Sequence, residues 1–291
     1  MPLRHPADLD IWAQAFVDRL AQFATAAARL LQEEGEATPF LCPINEISYW
    51  AWAGGAQAMM HPSLRQHGPA LKRQLAQAAI AAIHAVRAAV PAARFVMAEP
   101  LIHVTAGPEA TKSTIQAAAA HRVAQFEAFD MVAGRLHPEL GGTETCLDAV
   151  GVNYYSDNQF LASSGTLPLG HHLYRPLRDL LAAVQSRYDR PLLITETGAE
   201  GGNGPGWLRY VMGEVRAALL AGVKLAGMCL YPAMDYPGWR NNRHCRCGLL
   251  ELDHRWHTRT LDTVLHSQLQ EETLLLRTLS ALAPTGPAAV D

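Results

Sequence analysis

Two hydrophobic patterns alternate along the chain. Helical stretches at 10–34, 70–89, 113–133, 176–188, 206–221 and 268–282, several of them rich in alanine, carry apolar positions at helical spacing. Between them lie short runs at 39–45 (PFLCPIN), 94–98 (RFVMA), 149–154 (AVGVNY), 191–195 (PLLIT) and 225–231 (LAGMCLY). These runs lack the polar alternation of a half-exposed strand, so they are predicted to be strands buried on both faces. Each is separated from the next by a helical stretch. That order predicts a parallel α/β sheet, because parallel neighbours need a crossover connection. The distinctive polar residues fall at the C-terminal ends of the strands: Asn45-Glu46, Glu99, Asn153-Tyr154-Tyr155, Glu196 and Asp235. α/β barrels carry their chemistry on that face, and open doubly wound sheets bind ligands there too, so position alone leaves both architectures open. Residues 1–282 are expected to form one domain and 283–291 (APTGPAAVD) a disordered tail.

Composition narrows the partners. The 291 residues are 49% hydrophobic, enough for a large core, with 24 Lys+Arg against 27 Asp+Glu and a net charge of −3. Such a balance argues against nucleic acid or an anionic membrane as the main partner. No apolar run reaches the roughly 18 residues of a membrane span. The alanine-rich stretch at 70–89, for example, is broken by Gln77, His84 and Arg87. The first residues lack the apolar core of a secretion signal. An odd count of five cysteines argues against a disulfide framework, so a cytoplasmic protein is expected.

Several motifs count for little. No dinucleotide or P-loop fingerprint follows a strand; the glycine-rich stretch 201–206 lacks a lysine, and Pro205 removes a backbone donor. His244, Cys245 and Cys247, with His254 and His257, hint at zinc, but one residue between the cysteines is too few for the usual spacing. No metal and no cofactor are expected. Cys42 and Cys229 read as small core residues. Glu99 and His103 either line a cleft or, in the case of Glu99, cap or pair locally.

Two glutamates carry the chemical interest. Glu46 and Glu196 each stand where a buried strand opens onto the loop face, and Tyr49, Trp50 and Trp52 follow the first. Paired carboxylates are the minimal equipment for glycoside hydrolysis, one protonated as acid and one ionised as nucleophile, and aromatic rings suit sugar faces. The bland alternatives are a first-turn helix acid capped by Asn45 and an ion-pair partner for a barrel arginine.

Pro43-Ile44-Asn45-Glu46 with Trp50-Ala51-Trp52, then Val152-Asn153-Tyr154-Tyr155, then Ile194-Thr195-Glu196-Thr197-Gly198 resemble, in order, the strand-four, strand-six and strand-seven motifs of clan A glycoside hydrolases, family 1 in particular. The resemblance covers roughly residues 8–256. It implies a (β/α)8 TIM barrel and a retaining β-glycosidase acting on a small carbohydrate or glycoside. It further implies Glu46 as acid/base, Glu196 as nucleophile, Asn45 at the sugar 2-hydroxyl, Tyr155 on the nucleophile and Trp239 as a sugar platform, with Asn153 among the substrate-binding residues. Ile47 stands where the family has proline and Thr197 where it usually has asparagine. Residues 1–38 hold one helix and no strand, where the family has three βα units. The chain therefore reads as an incomplete barrel of about five units, matching strands four to eight, with two open sheet edges. Three readings follow: an internal start within a longer gene product, a sheet completed by a second copy, or an inactive relative that binds carbohydrate or a partner without hydrolysis.

Overall fold

The computed structural model describes residues 9–163, 165–238, 241, 243–253 and 255–282. Its centre is a five-stranded parallel sheet: β1 (Phe40–Leu41), β2 (Arg94–Pro100), β4 (Ala149–Asn153), β6 (Leu192–Thr197) and β7 (Leu225–Leu230), in that spatial order. Helices α1 (Gln14–Glu33), α2 (Ile47–Trp50), α3 (Gly68–Ala89), α4 (Lys112–Ala124), α5 (Glu127–Val132), α6 (Leu177–Tyr188), α7 (Gly204–Leu220) and α8 (Thr263–Leu282) occur around and between these strands. Strands adjacent in the sheet are also successive along this helix–strand alternation, which makes the sheet half of a (β/α)8 barrel. Among the described residues no helix is long and apolar enough to cross a membrane.

The core lies between the sheet and its helices. Phe95, Met97, Val150, Val152, Leu192 and Ile194 pack there against Leu71, Leu75, Ile83, Leu181 and Val211, all at 2% exposure or less. Several of the opposite strand positions are small, among them Ala98, Ala149, Gly151 and Thr195. Gly151 has to be small, because a Cβ there would sit 2.8 Å from Thr195 Cγ2 and 3.0 Å from the Met97 carbonyl oxygen. β4, central in the sheet, is buried at every position, as expected.

The edge strands depart from the expectation of burial on both faces. Phe40 of β1 is 61% exposed, and Cys42 and Cys229 are exposed rather than core residues. No residue of β7 is fully buried. The cause is geometric: β1 and β7 are the two ends of an open sheet, so each has a strand neighbour on one side only.

Two other details were not legible in the pattern. The helix expected over 113–133 breaks into α4 and α5, because the Gln125 amide donates to the Arg122 carbonyl at 2.7 Å and accepts from Ile102 N–H at 3.0 Å, drawing the chain off its helical path. Short strands decorate the loop face: β3 (His103–Thr105) with β5 (Gln159–Leu161), β8 (Tyr236–Pro237) with β9 (His244–Cys245), and β10 (Leu250–Leu252) with β11 (Arg259–Leu261). At two or three residues each they are too short to give a period. The tail expected to be disordered, 283–291, lies outside the described residues.

Candidate active site

The C-terminal ends of β1, β4 and β6 bring the predicted residues to one place. Past β1 the chain turns sharply at Glu46, whose backbone is left-handed at φ 52°, ψ 56°. For a residue with a Cβ this region costs of the order of 1–3 kcal/mol and persists only when surroundings enforce it. Here Glu46 N–H donates to the Ala98 carbonyl at 2.9 Å, and its own carbonyl accepts from Trp50 N–H at 2.9 Å, so the turn is fixed against β2 and opens α2. This is not the capped first turn that Asn45 could have provided: the Asn45 side chain points elsewhere.

The β4–β6 register shifts between Val152 and Asn153, which sets Asn153 opposite Glu196. Such irregularities re-aim side chains at strand ends. Asn153 is fully buried, and its amide is the hub of the site. Its Nδ2 donates to Glu46 Oε1 at 2.9 Å and to Asn45 Oδ1 at 3.3 Å, while its Oδ1 accepts from Thr195 Oγ1 at 2.6 Å. Asn45 Nδ2 in turn donates to Glu196 Oε1 at 3.1 Å, and the Tyr155 hydroxyl donates to Glu196 Oε2 at 2.8 Å. The two glutamates, 150 positions apart in sequence, are thereby joined by a chain of two amides. Neither makes an ion pair with an arginine among the described residues.

The electrostatics separate the two acids. Burial pushes the Glu46 carboxyl up to about 7, the nearby Glu196 charge pushes the same way, and the Asn153 hydrogen bond opposes both. Burial and the Glu196 charge raise the Tyr155 phenol far above its ordinary value, so it stays a donor. Glu46 is thus a proton-bearing acid near neutrality, and Glu196 has both oxygens held by donors.

Both glutamates line one open cleft of about 960 Å³, with Asn45, Tyr49, Tyr155 and Tyr231. Of the aromatic stretch, Tyr49 faces the cleft. Trp50 turns back to donate to the His61 carbonyl at 2.7 Å, and Trp52 stacks obliquely on Tyr49 at 5.6 Å. Asn153, grouped from sequence with the sugar contacts, spends its amide inside the protein on the Glu46 carboxyl, Asn45 and Thr195. Trp239, the expected sugar platform, lies outside the described residues.

Other expectations resolve structurally. Asp235 is a buried loop anchor: burial would raise it, but N–H groups of Gly248, Leu252 and Cys247 and the His244 ring hold it below its usual value. The Cys/His stretch is the loop wrapped around that carboxylate. Among the described residues no group of three or more His, Cys, Asp and Glu side chains is placed to hold a metal; His254 lies outside them. His103 sits half-buried in β3, and Glu99 is buried against α2 rather than lining the cleft. Sequence reasoning missed Thr195, which locks the Asn153 amide, and the Glu200–Arg243 ion pair on the cleft wall. Alternation along β6 was the available signal for Thr195. It missed as well the tight contact at Gly198, where a Cβ would lie 2.1 Å from the Tyr231 carbonyl oxygen.

No protein-family model matches the chain, and no curated protein matches it by sequence. Solved structures do resemble it. A hyperthermophilic β-glucosidase mutant that forms a dodecamer in the crystal aligns with a TM-score of 0.70 at 19% identity, over 90% of this chain and 62% of its own. The family 1 β-glucosidase from Thermotoga maritima aligns at 0.72 and 18% identity, over 91% and 69%. The AHE enzyme from Alicyclobacillus herbarius aligns at 0.74 and 18% identity, over 90% and 70%. The chain therefore spans less than two thirds of the first of these proteins and about 70% of the other two. At such identities the likeness is one of fold: this half-barrel has the α/β architecture of family 1 β-glucosidases over the part that it covers.

Proposed function

We propose that the protein is a retaining β-glycosidase, an O-glycosyl hydrolase of small β-linked glycosides, with Glu46 as acid/base and Glu196 as nucleophile. One observation carries the reading: two glutamates from separate strand ends line one cleft and are joined through Asn45 and Asn153, with a phenol on the second.

In the first step a Glu196 oxygen attacks the anomeric carbon while the glycosidic C–O bond breaks. The departing oxygen keeps the bonding pair and takes the Glu46 proton, leaving a glycosyl ester on Glu196. In the second step water attacks that carbon, gives a proton to the Glu46 carboxylate, and Glu196 departs as carboxylate. Tyr155 orients Glu196 throughout. Asn45, beside Glu196 Oε1, holds the sugar 2-hydroxyl, a contact that strengthens in the transition state. A double displacement of this kind calls for a carboxyl separation of about 5–5.5 Å.

Incubation with a 2-deoxy-2-fluoro aryl β-glycoside bearing a dinitrophenyl leaving group tests this. Fluorine slows both steps and the activated leaving group spares the first, so the ester accumulates. Peptide mass spectrometry should find one sugar on the peptide containing Glu196. Labelling of another residue, or none while the same sugar binds, removes the proposal.

The exposed ends of the sheet favour one second reading, a carbohydrate-binding protein without hydrolysis on a partial barrel. Calorimetric sugar binding with no labelling of Glu196 would select it. The same open edges support a homo-oligomer in which a second copy covers β1 and β7, where unpaired strand groups invite pairing. Light scattering on the purified chain should then give a multiple of 31.7 kDa; a concentration-independent monomer excludes it. The five unpaired cysteines fit a reducing, cytoplasmic compartment, and cell fractionation checks that assignment.

A further inference from the structure

Glu99 is a buried carboxylate that the proposed chemistry leaves unused. It stands near the end of β2 at 1% exposure, outside the cleft. Both of its oxygens face the Ser48 backbone N–H, at 3.0 and 3.3 Å, and the Ser48 side chain also favours its ionised form. Ser48 is the second residue of α2, and Glu46 is the residue immediately before that helix. The preceding residue of β2 holds the other side of the same turn, since Glu46 N–H donates to the Ala98 carbonyl at 2.9 Å. Two consecutive residues of one strand therefore clamp the elbow at two points, one on Glu46 itself and one two residues beyond. Glu46, the first of those points, has a left-handed backbone, a conformation that persists when its surroundings enforce it.

We infer that Glu99 is a positioning residue for Glu46: by holding Ser48 N–H it keeps the elbow in the geometry that aims the Glu46 carboxyl into the cleft. The inference rests on the glycosidase reading of Glu46. Glu99 acts through the backbone and touches no substrate. It also acts through charge. The titratable groups facing it are Glu46 at the elbow, Lys72 from α3 and Cys42 past β1. Lys72 is engaged by the Ala124 carbonyl and by Glu127 at 2.8 Å, so it offsets Glu99 only in part. Burial pushes Glu99 up to about 7, Ser48 and Lys72 oppose, and Glu46 adds to the rise. The two acids titrate over the same range, and each makes the other harder to ionise.

Two variants separate the clamp from the charge. Glu99→Gln keeps an acceptor oxygen for Ser48 and removes the charge. Its alkaline limb of kcat/KM should move to lower pH by about half a unit or more, since Glu46 loses a negative neighbour. Glu99→Leu removes the acceptor and leaves Ser48 N–H buried without a partner. It should slow alkyl β-glycosides roughly tenfold more than dinitrophenyl β-glycosides, because only the alkoxide leaving group depends on where Glu46 points. Equal losses on both substrates mean general damage and overturn the inference, as does an unmoved limb in Glu99→Gln. A readout without turnover guards against misfolding of the leucine variant. In carboxyl-13C glutamate-labelled protein, with the Glu46 signal assigned by its loss in Glu46→Gln, the Glu46 titration should fall in Glu99→Gln. An unmoved titration refutes the coupling. A coupled titration in a protein that turns over no glycoside keeps the Glu99–Glu46 link and sinks the glycosidase reading instead.

Discussion

Glu196→Ala should lower turnover of an aryl β-glycoside by roughly 10⁴-fold or more, the scale on which loss of a nucleophile removes covalent catalysis. The geometry makes this more than a deletion of bulk. Both Glu196 oxygens have donors, Asn45 Nδ2 at 3.1 Å and the Tyr155 hydroxyl at 2.8 Å, so the carboxylate is held in one orientation and no second acid on β6 can replace it. The variant leaves a cavity flanked by those two donors, a setting suited to a small anion. Added azide should restore turnover and yield the glycosyl azide of inverted configuration, its nitrogen bonded to the anomeric carbon from the side that Glu196 occupied. Product NMR identifies the anomer. Retained turnover in Glu196→Ala ends the assignment of this residue, and rescue that gives the retained azide ends the double displacement.

Most of the frame was legible in the sequence because strand burial and strand-end chemistry leave separate marks. Runs such as AVGVN at 149–153 have no polar alternation, and that reads directly as a central parallel strand. The same reading failed at PFLCPIN and LAGMCLY, where Cys42 and Cys229 are exposed. A run of residues records what a strand is built to meet, and whether neighbours stand on both sides is a matter of topology that no local pattern carries. Glu46 and Glu196 were visible as acids at strand ends, but what joins them was not. The Asn45–Asn153 bridge depends on a one-residue register shift between β4 and β6, and the left-handed turn at Glu46 depends on two acceptors from β2. Both are set by the pairing of strands far apart in sequence. Asn153 illustrates the limit: an asparagine at a strand end reads as a sugar contact, and only the fold shows its amide spent on Glu46, Asn45 and Thr195.

Glu46→Gln should abolish the alkaline limb of the pH profile and do so selectively by leaving group. In the native protein burial and the Glu196 charge hold the Glu46 carboxyl protonated up to about 7, above the ordinary glutamate value of 4.5. The sign follows directly. Glycosylation needs the protonated form, so kcat/KM is high below that value and falls as pH rises through it. Glutamine bonds Asn153 in a similar shape but has no proton to give. Alkyl glycosides, whose alkoxide must be protonated as the bond breaks, should lose about 10²–10⁴-fold, the usual worth of a general acid. Dinitrophenyl glycosides, whose phenolate departs unaided, should lose little in kcat/KM and show a flat profile across pH 7. Glu99 titrates in the same region, so the limb by itself does not identify its owner. The substitution does: a limb that survives in Glu46→Gln belongs to Glu99 or another group, and equal losses across leaving groups would take the acid role away from Glu46.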